Sequence, residues 1–372
     1  MNNVIIGLGN AGSQIVKLAS QSKAFKDDQF FTIDSVATTV DLDSINNVKN
    51  IPIISDEKTG SGRSRKRGRA MYRYHREKLN SFDKMFEACD KASSPIILVS
   101  SSSGGTGSGS IVGLAQDLID RELDVIPIII APAMDDPDSY HLNTTELLLE
   151  LSEIVDCDDL PGIKSYSVFR NPVDPDYASI NKAIVKSIET ILGYHYDDTD
   201  KDSIDQSDLA KIMSVSGRFI SVYCEANDIP TLKKDITRAV LSGYQPGWSA
   251  QDSENITFVT AYSLTSMFAS TDFREVFADI EEHVGHEFER FMNIKETPNA
   301  EKCYATAIIA GLPTIKVRDV SGDFNTAGNI ADGIKKCVRP SIMDTRKPKT
   351  EDGKLLPSKR KKKSVLSEFG LD

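Results

Sequence analysis

Five cysteines in 372 residues, Cys89, Cys157, Cys224, Cys303 and Cys337, are odd in number and scattered, and no two form a Cys-x-x-Cys pair. The sequence therefore predicts neither a disulfide framework nor a zinc site, and it points to a reducing, cytoplasmic setting. No apolar run approaches the ~20 residues that a membrane-crossing helix needs. The start, Met1-Asn2-Asn3 and then Val4-Ile5-Ile6-Gly7, has neither the charged head nor the long apolar stretch of a secretory signal. Internal repeats are lacking. Histidine is scarce, and His283 and His286, three apart, have no third ligand in view, so they read as a solvated helix face.

Charge is unevenly spread. From Ile334 to Lys363 there are 12 Lys/Arg against 3 Asp/Glu, whereas the whole chain carries −11. An acidic body thus ends in a basic tail, and the tail is where an anionic partner is expected. The length suits two domains.

Up to about Tyr194, apolar runs alternate with helical stretches. Strands are expected at 4–8, 30–33, 96–99, 125–130 and 166–169, and helices at 11–20, 67–91, 110–123, 142–155 and 176–192. Alternation of this kind predicts an α/β parallel sheet covered on both faces, with ligands at the carboxyl ends of the strands. The last of these helices is a long central one. After an acid-rich stretch the pattern changes: strands at 219–223, 256–262 and 304–309 and helices at 231–241 and 272–291 predict a smaller α+β domain. The boundaries so read are 1–194 for the sheet domain with its central helix, 195–217 for a loop and helix, 218–316 for the smaller domain, and 317–372 for a flexible basic C-terminal tail.

The densest chemistry lies in Ser101-Ser102-Ser103-Gly104-Gly105-Thr106-Gly107-Ser108-Gly109, between a buried strand and an amphipathic helix. Glycines let the backbone approach closely, amides and helix dipole face an anion, and Thr106 and Ser108 offer hydroxyls. Phosphate binding is the expectation. A P-loop is excluded, because it needs Gly-x-x-x-x-Gly-Lys-Ser/Thr and no lysine lies near.

A second glycine loop, Gly7-Leu8-Gly9-Asn10-Ala11-Gly12, fits Gly-x-Gly-x-x-Gly, with Asp34 standing 22 residues beyond Gly12. These are the features of a dinucleotide-binding Rossmann fingerprint, so an NAD(P)-dependent oxidoreductase is an alternative of a different class. Against it, one such loop already holds a pyrophosphate, which leaves Ser103–Gly109 without a role. Elsewhere, Tyr177 and Asn181 share one helix face at i and i+4, where a ring can stack on a base and an amide can bond its edge.

The run Ser-Gly-Gly-Thr-Gly-Ser-Gly at 103–109 matches, residue for residue, the glycine-rich signature of the tubulin and FtsZ superfamily of GTPases. Gly9-Asn10-Ala11-Gly12-Ser13-Gln14-Ile15 resembles that family's first phosphate loop, and Tyr177-x-x-x-Asn181 resembles the start of tubulin's central helix. The resemblance implies GTP/GDP and Mg²⁺ as ligands. Gly9, Asn10, Ala11 and Ser103 to Gly109 (Ser103, Gly104, Gly105, Thr106, Gly107, Ser108, Gly109) would hold phosphates. Gln14, Asn171, Tyr177 and Asn181 would hold base or sugar. Gly60, Ser61 and Gly62, followed by Arg63, Arg65, Lys66, Arg67 and Arg69, correspond to a γ-phosphate loop, and arginines suit a triphosphate. Asp34 would meet the metal through water. The Asp135-Asp136-Pro137-Asp138 segment falls where the family has a ribose-proximal loop, although the arginine that FtsZ has there is missing.

In Ser203-Ile204-Asp205-Gln206-Ser207-Asp208-Leu209, both aspartates of FtsZ's Asn-x-Asp-x-x-Asp remain, and Ser203 replaces the asparagine. By resemblance Asp205 and Asp208 are catalytic. A helix of some 17 residues, about 25 Å, separates them from their own subunit's loops, so they would act on a neighbour's nucleotide in a head-to-tail filament. The mixture of features is most similar to the plasmid and phage tubulins TubZ and PhuZ. That implies a plasmid- or phage-encoded protein of the bacterial cytoplasm, whose basic tail meets DNA or a DNA-bound adaptor. A divergent FtsZ-like division protein, with Val365–Leu371 as a docking peptide, and a filament protein that does not hydrolyse nucleotide remain as alternatives.

Overall fold

In the computed structural model, the residues described are 2–35, 47–54, 60–155, 162–174, 176–196, 203–241, 258–284, 287–298 and 301–314. The basic tail, Asp197–Asp202 and the His286 half of the histidine pair lie outside them.

The first half builds β1 (Val4–Leu8), α1 (Gly9–Ser20), β2 (Gln29–Asp34), β3 (Val48–Pro52), α2 (Arg65–Arg76), α3 (Asn80–Cys89), β4 (Ile96–Ser101), α4 (Thr106–Ile119), β5 (Val125–Ala131), α5 (Asp138–Val155), β6 (Ser165–Arg170) and α6 (Tyr177–Ile191). Then follow α7 (Gln206–Met213), β7 (Gly217–Ala226), α8 (Ile229–Leu241), β8 (Phe258–Ser266), α9 (Ala269–Val284), β9 (Glu287–Glu296) and β10 (Cys303–Leu312). All ten strands join one sheet in the order β3-β2-β1-β4-β5-β6-β7-β10-β8-β9. Strands β1 to β7 pair in parallel, β10 is antiparallel to β7 and β8, and β9 returns parallel to β8.

Period-two alternation makes the sheet two-faced. Val4, Ile6 and Leu8 enter one core with Tyr72 of α2, Phe82 of α3, Leu114 of α4 and Leu151 of α5. Ile5 enters the opposite core with Ile15 of α1, Ile184 and Ile188 of α6, and Ile212 of α7. A third core packs α8 and α9 on β7, β8 and β10 through Leu232, Ile236, Phe277 and Tyr262. β4 and β5 are buried nearly throughout, as parallel strands between helical layers must be.

The structure departs from the sequence expectation in three places. The helix expected over 67–91 is two, and the break at 77–79 lets Phe82 meet Tyr72 edge-on at 5.6 Å. β3 went unpredicted because it is an edge strand whose Lys49, Asn50 and Pro52 are exposed, so no apolar run marks it. The helix expected over 272–291 stops at Val284, and β9 follows. Ile280, Val284, Phe288 and Phe291 carry helical spacing straight through a stretch that is strand from Glu287 onward. The strands after α7 extend the same sheet.

Candidate functional site

The parallel strands all end at one edge, so Leu8, Asp34, Ser101, Ala131 and Arg170 bring their following loops together. At the centre two helices start side by side. Gly9 opens α1 with φ +70°, and a Cβ there would stand 3.0 Å from the backbone nitrogen of Gly107 in α4. Neither helix has a side-chain cap: the N-cap positions are Leu8 and Gly105. By contrast Ser64, Asp176 and Asp205 cap α2, α6 and α7 with their side chains. The first amides of α1 and α4 therefore have no intrahelical acceptor and no capping oxygen, which leaves two positive helix ends turned to the same place.

The glycines of Ser103–Gly109 divide by role. A Cβ on Gly107 would lie 2.5 Å from Leu8 O and Ser100 Oγ. One on Gly105 would lie 2.6 Å from Ser64 N, and one on Gly109 would lie 2.7 Å from Arg69 N. These three glycines serve packing within the protein. Gly104 does not, since a Cβ there meets nothing within 4 Å; the same holds for Gly62, whose φ is +59°. The open space in front of Gly104 is what a ligand approaching the backbone requires.

The hydroxyls that the sequence offered to phosphate are already engaged. Ser108 Oγ donates to Gly104 O. Thr106 Oγ1, in a residue 7 % exposed, lies 2.6 Å from Ser35 Oγ and donates to Ser61 Oγ at 2.9 Å. Thr106 thus fastens the end of β2 and the 60–64 loop to α4. The arginines also turn elsewhere. Arg65 is buried and pairs with Glu146 at 3.0 Å and Glu150 at 2.9 Å. Arg69 shares Glu150 at 2.6 Å. Burial pushes the Glu150 carboxyl up, but the two guanidiniums hold it below its ordinary value. Arg63 lays its guanidinium over the Tyr140 ring at 4.4 Å.

Around this centre, Asp34 is the last residue of β2, 8 % exposed, and its Oδ1 accepts from Ser35 N at 2.6 Å. Asn171 follows β6, and its N–H bonds Ala131 O at 3.0 Å. Asp136 accepts from Ala133 N at 2.8 Å, closing the turn into α5. Gln14 and Asn10 are exposed on α1, which packs against α6. Tyr177, 54 % exposed, begins α6, with Asn181 one turn on. Ser35 and Asn143 belong to this edge too, and no motif announced either. Gly60, Ser61 and Gly62 lie against it through the Thr106 bond.

Asp205 and Asp208 are not brought to this edge. They begin α7 beyond the far end of α6, which spans about 22 Å. β7, which follows α7, starts beside Ser165, the first residue of β6, at the opposite edge of the sheet. Their carboxylates form a capping box: Asp205 Oδ1 accepts from Ser207 N at 2.7 Å, Ser207 Oγ at 2.6 Å and Asp208 N at 3.0 Å, while Asp208 Oδ2 accepts from Asp205 N at 3.1 Å. The Ser207 hydroxyl, followed by these amides, holds the Asp205 carboxyl below its ordinary value. His283 bonds Asp279 O at 2.7 Å, and among the described residues no three His, Cys, Asp or Glu gather to hold a metal.

Residues 2–158, which include the Gly7–Gly12 loop and all of Ser103–Gly109, match the sequence profile of the Tubulin/FtsZ family, GTPase domain. Over these residues the chain is similar to a tubulin/FtsZ GTPase domain. Solved structures of tubulin/FtsZ-like proteins share its fold over most of its length. CetZ2 from Haloferax volcanii, a GTPγS-bound protofilament, superposes with a TM-score of 0.69 at 16 % identity, covering 90 % of this chain and 100 % of that one. A GTPγS-form protofilament of TubZ from Bacillus thuringiensis serovar israelensis gives 0.64 at 16 %, covering 90 % and 92 %. The empty FtsZ dimer of M. jannaschii gives 0.60 at 15 %, covering 83 % and 88 %. A sequence search of curated proteins found no match. The order β3-β2-β1-β4-β5-β6 is also that of a Rossmann sheet. The glycine loop Ser103–Gly109 and the strands beyond β6 are not part of a Rossmann scheme.

No helix among the described residues is long and apolar enough to cross a membrane.

Proposed function

We propose that this protein binds GTP at the carboxyl edge of its sheet, assembles head to tail, and hydrolyses GTP at the junction between subunits. The observation that carries the reading is the pair of uncapped helix starts meeting at Gly9 and Gly107, with open space in front of Gly104. Amides and helix ends suit a phosphate chain. Gln14, Tyr177, Asn181 and Asn171 suit the base and sugar. Magnesium offsets phosphate charge when bound. It binds through one or two carboxylates together with phosphate oxygens, so Asp34 at the end of β2, acting through water, is a sufficient protein contribution.

Asp205 and Asp208 are the proposed catalytic pair, orienting a water on a neighbour's terminal phosphate. Their distance from their own loops supports a site that two subunits complete. Heterologous contacts of that kind propagate into filaments, and the similar CetZ2 and TubZ structures are themselves protofilaments. The basic run from Ile334 to Lys363 supports a role in moving plasmid or phage DNA, directly or through a DNA-bound adaptor, in the bacterial cytoplasm.

Sedimentation of purified protein with GTP, GTPγS, GDP or NAD tests the reading. Pelleting with GTP and GTPγS, but not with GDP or NAD, is expected, and phosphate release should rise more steeply than linearly with protein concentration. A specific activity that stays constant far below the assembly threshold refutes the shared site.

A further inference from the structure

Asn143, in the second turn of α5, belongs to no motif, yet its side chain joins the two loops that build the phosphate edge. Its Nδ2 donates to Arg63 O and to Ser103 O, each at 3.0 Å. Both partners are carbonyl oxygens, so the atom between them is the amide nitrogen, with one hydrogen for each.

Both peptides so held lie in turns at this edge, and the Arg63–Ser64 peptide is held at its other end by Ser64 N–H donating to Ser61 O at 3.1 Å. Arg63 has φ +62°, a left-handed conformation that a side chain other than glycine keeps only when its surroundings impose it. Those surroundings include Asn143 and the ring of Tyr140, three residues earlier on the same face of α5. The Ser103 carbonyl shares a rigid peptide with the N–H of Gly104, and the two point in opposite directions. Drawing the carbonyl toward α5 therefore sends the Gly104 N–H away from α5, at the glycine that has open space before it. Were this peptide to flip, the oxygen's negative end would replace a donor in the anion site.

We infer that Asn143 is a positioning residue that locks the Ser103–Gly104 peptide and the Arg63 turn in their anion-binding orientation, and so sets the preference for a triphosphate over a diphosphate. The inference rests on the reading of this edge as the GTP site. It predicts that the loop carrying Gly60 to Arg63 loosens before anything else when the tether is cut.

The test compares wild type with Asn143→Asp, which keeps the shape but faces two carbonyls with a carboxylate, Asn143→Leu, which removes both bonds, and Asn143→Gln, which restores the donor. Binding of fluorescent GTP and GDP analogues is measured. In the Asp and Leu variants GTP affinity falls at least about tenfold and GDP affinity less than about threefold, and Gln recovers most of the loss. Without nucleotide, tryptic cleavage after Arg63, followed by mass spectrometry, accelerates in the Asp variant. An unchanged GTP-to-GDP ratio in these variants, or unchanged cleavage after Arg63, overturns the inference alone. Wild-type protein that binds neither nucleotide overturns the functional reading, and the inference falls with it.

Discussion

Replacing Asp205 with serine separates the two roles that its geometry allows. As an N-cap the carboxylate satisfies the amides of Ser207 and Asp208 at 2.7 and 3.0 Å. Serine caps about as well as aspartate, so Asp205→Ser should keep α7 and leave the melting temperature within about 2 °C of wild type. As a water-orienting group, however, the carboxylate has no substitute in serine. Loss of a positioned base or orienting residue lowers turnover about 10²- to 10⁴-fold. The assay is therefore threefold: GTP affinity, which should be unchanged; sedimentation, which should show filaments that persist; and phosphate release under assembling conditions, which should fall by at least a hundredfold or so. Asp205→Ala loses the cap as well, so it should melt a few degrees lower while hydrolysing no more slowly than the serine variant. Hydrolysis at the wild-type rate in Asp205→Ser would show that the aspartates only start a helix. Loss of GTP binding by the isolated subunit would place them at their own nucleotide and refute the two-subunit site.

Gly104→Ala should leave thermal stability unchanged but weaken GTP binding about tenfold or more, whereas Gly107→Ala, whose Cβ would press on Leu8 O and Ser100 Oγ at 2.5 Å, should cost about 1–3 kcal/mol of stability; chemical denaturation with nucleotide titration distinguishes them. Burial alone would raise the Glu189 carboxyl, but His195 Nε2 at 3.2 Å and hydrogen bonds from Lys186 and Ser22 hold it down at about 2. Its stabilisation, on the order of 3 kcal/mol, is therefore present above the ordinary value near 4.5 and lost as pH falls toward 2. Glu189→Gln should lower the denaturation midpoint at pH 7, with the gap to wild type closing across that acid range. Removing residues 346–372 should spare GTP hydrolysis and sedimentation but abolish capture of DNA complexes, and the intact protein's capture should weaken steeply with salt; equal capture by the truncated protein refutes the tail's role.

Much of the first half was legible because its signals are local. Strands such as Ile96–Ser101 announce themselves by the apolar run Ile96 to Val99, and Ser103–Gly109 by composition. What stayed hidden depends on partners distant in sequence. No pattern around Asn143 says that it reaches Arg63 and Ser103, 80 and 40 residues away. Nor does the sequence show that Thr106 donates to Ser61, Ser108 to Gly104 O, and Arg65 and Arg69 to Glu146 and Glu150. The Asp-x-x-Asp pair reads the same way in a catalytic loop and in a helix cap, and here it is built as the cap. β9 was lost because its Phe288 and Phe291 continue the spacing of the preceding helix.

Along most of the sheet each strand is laced to its neighbours over four residue pairs or more, as β1 is to β4. Between β6 and β7 the described residues give two, Ser165 with Gly217 and Tyr166 with Arg218. Backbone lacing is scarce here, and side chains bridge from the end of α6 instead: His195 stacks on Tyr223 of β7 at 4.5 Å, and the Tyr196 hydroxyl lies 3.3 Å from Thr306 Oγ1 of β10. Mechanically this is the weak seam of the molecule. Amide protons at Gly217 and Arg218 should exchange with solvent sooner than those deep in β4, and a tensile load drawn across the sheet parts it there first.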